Sequence, residues 1–219
     1  MSDRLWIAAK APRPGLAKTR LAAGVGGPAA LALYRGFLAD LAVRFAGARV
    51  PAGWYVTPPD AWGDLRAIVA PSGPAPPVLV QPAGDWTDRQ RALFRGAAAR
   101  GERRTVLIAS DSPHLEVAVV EAAFAALDRD DVVIGPTHDG GYYLIGMRGW
   151  HDVLAGVAMS TDAVLDGILA AARRTATAVT VLKPTFDIDG REDLGLLAAL
   201  DPARADLAAT RRALAGIAA

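Results

Sequence analysis

Short apolar runs alternate with longer amphipathic ones along this 219-residue chain, and that alternation restricts the folds open to it. RLWIAAK (4–10), GWYVT (53–57), PVLVQ (77–81), RTVLIAS (104–110) and DVVIGP (131–136) read as strands, short and bounded by Gly, Pro, Asp or Ser. Between them, 28–46, 86–100 and 116–127 read as helices, rich in Ala and Leu with Arg at polar positions. Ser160 and Thr161 are candidate N-caps for a further helix in DAVLDGILAAARR. A β-α-β alternation of this kind predicts an α/β fold, a three-layer sandwich whose mostly parallel central sheet is covered on both faces. The Pro-rich PSGPAPP (71–77) is followed at once by strand-like residues, so it reads as a connector, and residues 1–219 read as one domain.

Composition removes several function classes. The 24 Lys and Arg nearly balance 23 Asp and Glu, so no global field calls for a nucleic-acid partner. Hydrophobic residues at 52% supply a substantial core. Cysteine is absent, which excludes disulfides, thiolate metal sites and Cys nucleophiles and suits a reducing cytoplasm. MSDRLWIAAK lacks the pattern of a signal peptide, and no apolar stretch reaches the ~18 residues of a membrane span. His114, His138 and His151 are too scattered for a zinc site.

In an open α/β sheet ligands bind beyond the carboxyl ends of the strands, so the loops there carry the functional signal. After the first strand, AKAPRPGLAKTRL (9–21) holds Lys10, Arg13, Lys18 and Arg20. A helix beginning near Ala17 would turn free N–H groups toward an anion, with Lys18 beside them; the alternative is a solvated basic loop. The spacing is not that of a Walker A loop. After the fourth strand, SDSPHL (110–115) presents Asp111, a helix cap or a Mg²⁺ ligand, with Pro113 expected to start the next helix. FDIDGREDL (186–194) adds Asp187 and Asp189, which point to opposite sides if the segment is extended, so that one of them reaches a site. Glu192 and Asp193 suit the first turn of the following helix.

GPTHDGGYYLIG (135–146) is the least ordinary stretch. Its Asp139-Gly140 pair is a hairpin signal, but a plain surface hairpin does not explain Tyr142 and Tyr143 running straight into Leu144 and Ile145. Gly140 and Gly141 would allow backbone to approach a ligand closely.

Taken in order, PRPGLAKTRL, SDSPHL, DVVIGPTHDGGYYLIGM and FDIDGREDL resemble a family of bacterial GT-A-type, glycosyltransferase-like proteins, some of them linked to arsenosugar biosynthesis. The likeness runs from residue 5 to about residue 200, nearly the whole chain, and extends, more distantly, to molybdenum cofactor and phospholactate or phosphoenolpyruvate guanylyltransferases. QPAGDWTDRQRALF (81–94) resembles the family's Gln-x-x-Gly-Asp-x-x-x-Arg element through Gln81, Gly84, Asp85 and Arg89. Trp86, Thr87, Met159 and Gly190 depart from the usual residues, the last where a Thr hydroxyl would cap.

The resemblance implies a nucleotide-diphospho-sugar transferase fold, GT-A and Rossmann-like, and metal chemistry on a phosphate leaving group. It implies Mg²⁺ or Mn²⁺ on Asp111 and Asp189, with Asp187 as the alternative ligand, and phosphates on Lys10, Lys18 and Arg20. Gln81, Gly84 and Arg89 would lie along the base or ribose. Asp139 would be the catalytic, hydroxyl-binding carboxylate, and Gly140, Gly141, Tyr142 and Tyr143 would line a sugar or acceptor pocket. The expected reaction is glycosyl transfer from a nucleotide sugar to a small-molecule acceptor. The alternatives are nucleotidyl transfer from a nucleoside triphosphate with release of pyrophosphate, and a non-catalytic nucleotide-binding module.

Overall fold

The computed structural model describes residues 2–159 and 161–218. Its strands are β1 (Ser2–Lys10), β2 (Ala52–Thr57), β3 (Val78–Val80), β4 (Glu102–Ala109), β5 (Val132–Pro136), β6 (Tyr142–Arg148) and β7 (Val179–Val181). The helices are α1 (Thr19–Val25), α2 (Gly27–Ala46), α3 (Trp62–Val69), α4 (Trp86–Ala99), α5 (Val117–Ala126), α6 (Val164–Arg174), α7 (Leu194–Ala198) and α8 (Ala208–Ala218). The strands form one mostly parallel seven-stranded sheet in the order β3-β2-β1-β4-β6-β5-β7, as an α/β fold requires. β6 runs antiparallel to its neighbours, β4 and β5.

Contacts gather the chain into two compact units. The first comprises residues 1–7, 81–108 and 117–186. Its core is the buried faces of β4, β5 and β6, with Val106, Ile108, Val132, Ile134, Leu144 and Ile145 wholly or almost wholly enclosed. Gly146 admits Val133, Val106 and Leu127, since a Cβ there would lie 2.8 Å from Val133 Cγ1. Trp6 donates its indole N–H to the buried Glu102, which also accepts from Thr105. Arg104 pairs with Asp3 and Asp128.

The second unit comprises residues 8–80, 109–116 and 187–219. Its long helix α2 buries Leu33, Tyr34, Phe37, Leu38, Leu41 and Phe45. At Gly36 the backbone of Ala209 and Thr210 in α8 comes to 3.0 Å of where a Cβ would stand. Asp40 of α2 then accepts from the N–H groups of both residues at 3.0 and 2.8 Å, capping the free donors that open α8.

The five expected strands and the helices at 28–46, 86–100, 116–127 and in DAVLDGILAAARR are all present. Three local expectations are corrected. α1 begins at Thr19, after Lys18, and not near Ala17. Pro113 does not start α5: residues 113–114 form a turn first, and the helix begins at Val117. The N-cap of α6 is Ala163, while the Thr161 hydroxyl donates to the Ala158 carbonyl; Ser160 lies outside the described residues.

Candidate functional site

In the second unit, three loops are fastened to one another before any ligand is considered. The buried Tyr34 hydroxyl accepts from the Lys10 N–H at 3.0 Å, donates to the Lys10 carbonyl at 3.1 Å and meets the Ser110 hydroxyl at 3.2 Å. Burial, then the nearby charge of Asp111, raises the Tyr34 pKa, so the phenol stays neutral and keeps its proton. The N–H of Ile188 donates to the Asp111 carbonyl at 3.0 Å. SDSPHL and FDIDGRED are thus joined backbone to backbone.

Lys18 occupies the junction. Its ammonium lies 2.9 Å from Asp111 Oδ1 and 3.1 Å from Asp189 Oδ1, and donates to the Ile188 carbonyl at 2.5 Å. An ammonium has three protons, and three acceptors surround it. The Lys18 side chain is 4% exposed, the two carboxylates 36% and 37%. Burial opposes its charge, but the Asp111 and Asp189 carboxylates together outweigh it and hold the pKa above the ordinary lysine value. The backbone at Lys18 has φ 53, a left-handed conformation that costs a non-glycine residue about 1–2 kcal/mol. The three polar contacts offset that strain.

Lys18 therefore does not present itself to solvent as a phosphate ligand: it is the partner of the two acids expected to hold metal. Of the acids in FDIDGRED, Asp189 is the one whose carboxylate it takes. Asp193, expected in the first turn of α7, is instead the N-cap residue, and its carboxylate accepts the N–H groups of Asp189 and Gly190 at 2.8 and 2.7 Å. That supplies an acceptor where Gly190 lacks a hydroxyl. Arg20 is 79% exposed, with Nη2 3.5 Å from Asp189 Oδ2. The Lys10 residue is exposed. Arg13 is committed to Asp60 and Asp64, at 2.9 and 2.5 Å.

The donor set suits a hard cation. Two carboxylates from separate loops converge on one positive group, and a carbonyl oxygen completes its contacts, so an ammonium stands where a cation is stabilised. Among the described residues no three His, Asp or Glu side chains gather as a ligand set. A two-carboxylate site matches Mg²⁺ or Mn²⁺ that keeps waters and takes its remaining ligands from substrate phosphates.

The other expected residues lie in the first unit. The Asp-Gly stretch is, after all, a hairpin between β5 and β6. Asp139 Oδ1 accepts from the Thr137 hydroxyl at 2.5 Å and the Gly141 N–H at 3.1 Å, so this carboxylate shapes its own turn. Gly140 has φ +89, and a Cβ on it would lie 2.1 Å from the Asp162 carbonyl oxygen. The close approach that requires a glycine here is to the chain's own backbone. The register slips by one residue at Gly135–Pro136, leaving Tyr143 as the extra residue of a β-bulge, which accommodates two successive tyrosines. Tyr143 is buried, its ring packs on Gly135 and its hydroxyl donates to the Lys183 carbonyl at 3.2 Å. Tyr142, half-buried, donates to Gln90 Oε1 at 2.8 Å. Arg89 donates to the Gly84 carbonyl at 3.1 Å and to Gln81 Oε1 at 3.3 Å, while Asp85 caps α4 through the Asp88 N–H. Gln81, Gly84 and Arg89 are therefore one local structure at the start of α4.

Arg44 escapes a reading of the sequence. This buried guanidinium on α2 donates to the carbonyls of Pro113 and Leu115 and pairs with Asp206 at 2.7 Å, fixing the turn after Asp111. The available signal is position: Asp40 and Arg44 fall seven and eleven residues after Leu33 on the stripe marked by Phe37 and Leu41, so two charged residues interrupt an apolar helix face.

A family model described as "Uncharacterized protein conserved in bacteria (DUF2064)" matches residues 49–161. The chain belongs to that DUF2064 family. It is 30% identical to a protein of Desulfovibrio desulfuricans G20 whose crystal structure bears the name "putative nucleotide-diphospho-sugar transferase", with a TM-score of 0.88 over 100% of this chain and 98% of that one. The fold is shared more widely. A 4-diphosphocytidyl-2C-methyl-D-erythritol synthase of Anaerococcus prevotii DSM 20548 aligns at TM-score 0.59 and 12% identity over 90% of this chain and 95% of its own. A CMP:2-keto-3-deoxy-manno-octonic acid synthetase complexed with CTP aligns at 0.56 and 12% over 91% and 98%. No curated protein matches the chain significantly. The DUF2064 chain thus has the nucleotide-diphospho-sugar transferase fold that its motifs imply. Among its described residues no helix is long and apolar enough to cross a membrane.

Proposed function

We propose that this DUF2064 protein is a metal-dependent transferase that uses a nucleotide-activated donor and moves a glycosyl group from a nucleotide sugar to a small hydroxyl acceptor. The observation that carries the reading is the convergence of Asp111 and Asp189 on one buried cation. The relative named for nucleotide-diphospho-sugar transfer, at 30% identity, supports the donor class. Asp111 and Asp189 would hold Mg²⁺ or Mn²⁺, which when bound neutralises charge developing on a diphosphate leaving group. Arg20, exposed beside Asp189, is suited to a phosphate oxygen, with Lys10 at the end of β1 as a second cation. Gln81, Gly84 and Arg89 are assigned to the base or ribose.

In the transfer the anomeric C–O bond to the diphosphate breaks and a new bond forms from the acceptor oxygen to the anomeric carbon. The proton leaving the acceptor hydroxyl is assigned to Asp139. Nucleotidyl transfer is the second reading, drawn from the fold it shares with a synthetase complexed with CTP. A triphosphate asks for more cations than a diphosphate, and Arg13, one of four candidates in the first loop, is engaged by Asp60 and Asp64. That favours glycosyl transfer.

A panel of nucleotide sugars incubated with the protein and Mn²⁺ or Mg²⁺ should yield free nucleoside diphosphate. Pyrophosphate released from a nucleoside triphosphate, with no nucleotide sugar consumed, would replace glycosyl transfer by nucleotidyl transfer. Asp139→Asn separates catalysis from turn geometry, because the amide oxygen still accepts from Thr137 and Gly141 while the charge is gone. Turnover should fall at least a hundredfold with nucleotide affinity unchanged, the usual span of general-base contributions being about 10²–10⁴. Full activity in Asp139→Asn would leave Asp139 as a turn residue only.

A further inference from the structure

We propose that Lys18 is the resident cation of the Asp111–Asp189 pair and leaves it when a divalent ion binds, its ammonium then being free for the ligand's phosphates. The inference rests on the reading of those two aspartates as cation ligands. What it adds is that the site is built closed, with an internal competitor that a metal must displace.

The geometry carries it in three steps. First, the same two carboxylates are claimed twice. Lys18 Nζ takes Asp111 Oδ1 and Asp189 Oδ1 at 2.9 and 3.1 Å, and a hard cation held by both acids would compete with it for the space between them. A dication and an ammonium at one point between two carboxylates would repel each other, so occupancy is exclusive. Second, the ammonium can leave without the main chain moving with it. Its four-carbon stem is flexible, and once the carboxylates are taken only the Ile188 carbonyl still accepts from it. Third, the acids are more open than the lysine: 36% and 37% exposed against 4%. A metal can reach them from solvent, whereas the Lys18 side chain is buried. Arg20, 79% exposed and 3.5 Å from Asp189, marks the open side with positive charge, where phosphates would be held.

The energetic consequence is a competition. Metal binds only the fraction of molecules whose lysine has swung out, so the apparent affinity is the intrinsic one reduced by that fraction. Deleting the ammonium should therefore tighten binding of metal alone, whereas a Lys18 that merely buttressed the site would weaken it on deletion. For a phosphate-bearing ligand the sign inverts, because the displaced lysine then serves as a ligand.

The test compares wild type, Lys18→Met and Lys18→Gln by calorimetric titration with MgCl₂ in the absence of nucleotide, and then with inorganic pyrophosphate at saturating Mg²⁺. Both variants should bind Mg²⁺ at least tenfold more tightly than wild type, and pyrophosphate at least tenfold more weakly. In wild type, a lysine ¹⁵Nζ–¹H correlation from the protected Lys18 ammonium should be present without metal and vanish at saturating Mg²⁺. That second measurement needs no variant, so it decides the matter even if both substitutions fail to fold. Unchanged or weaker Mg²⁺ binding in the variants, or a Lys18 signal that persists in the metal-bound protein, overturns the proposal and leaves the carboxylate site standing. If neither wild type nor the variants bind Mg²⁺ or Mn²⁺, the assignment of Asp111 and Asp189 to metal fails, and this proposal with it.

Discussion

His114 should make the stability of this protein strongly pH-dependent, although it takes no part in the proposed chemistry. It lies three residues after Asp111 in SDSPHL and is 7% exposed. Burial, then the charges of Arg204 and Arg44, lowers its pKa from 6.5 to about 4. The folded protein thus keeps the ring neutral down to about pH 4, whereas the unfolded chain takes up the proton below 6.5. Stability is intact above the higher value and is lost as pH falls toward the lower, at about 1.4 kcal/mol per pH unit. The loss from this one residue is about 2 kcal/mol at pH 5 and about 3 kcal/mol by pH 4. Asp206 will not confuse the measurement: hydrogen bonding from Arg204, with Arg44 adding to it, lowers its pKa to about 2, so it stays ionised in this window. The assay is urea unfolding of wild type and His114→Gln at pH 7.5 and pH 5.0. The variant should gain about 2 kcal/mol on wild type between the two conditions, while carboxylates common to both cancel. Equal pH slopes for the two proteins would refute the reasoning.

Three further outcomes test the framework around the site. Arg44→Met should cost about 2–4 kcal/mol, because it strips the Pro113 and Leu115 carbonyls of a buried donor while the half-exposed Asp206 keeps Arg204; a fall in Tm under about 3 °C would show that water replaces the clamp. Asp111→Asn should abolish calorimetric Mg²⁺ binding yet lose only about 1 kcal/mol of stability, since the acid is a third exposed and Lys18 retains Asp189 and Ile188. Gly140→Ala should destabilise by more than about 3 kcal/mol, and Gly149→Ala by about 1–2, for both have positive φ but only Gly140 has backbone within 4 Å of its missing Cβ. Similar denaturation midpoints for these two variants would count against the Gly140–Asp162 contact as the reason for the glycine.

The parts of the fold legible in the sequence are those whose cause is local. β1, β2, β3, β4 and β5 each have an apolar run closed by a breaker, and each is readable to within a few residues. β7 escapes such a reading because Thr180 interrupts its apolar run, whereas the equally short β3 is three apolar residues in a row. β6 escapes it for a different reason. Its first residues sit at a bulge, so Tyr142 and Tyr143 both turn away from solvent and the alternation that would announce a strand is broken where it starts. The hairpin signal in Asp139-Gly140 is sound; the tyrosines contradict it only under a regular ladder.

The site divides along the same line. A carboxylate just beyond a strand is visible in sequence, as at Asp111, whereas Asp189 is set apart from Asp187 only by the family resemblance. Nothing local says which of Lys10, Arg13, Lys18 and Arg20 turns inward, because the decision is made at long range. Arg13 is drawn off by Asp60 and Asp64, some fifty residues on, and Lys18 is drawn in by an acid 171 residues away. The left-handed φ of Lys18 is the local trace of that distant demand, since no helix-capping rule asks a lysine to adopt it. A basic loop written in sequence as four equivalent cations is in the folded chain one exposed arginine, one neutralised arginine, one lysine on an exposed position and one buried counter-ion. The buried one marks where a cation sits between the two acids, whose like charges repel each other wherever no positive group lies between them.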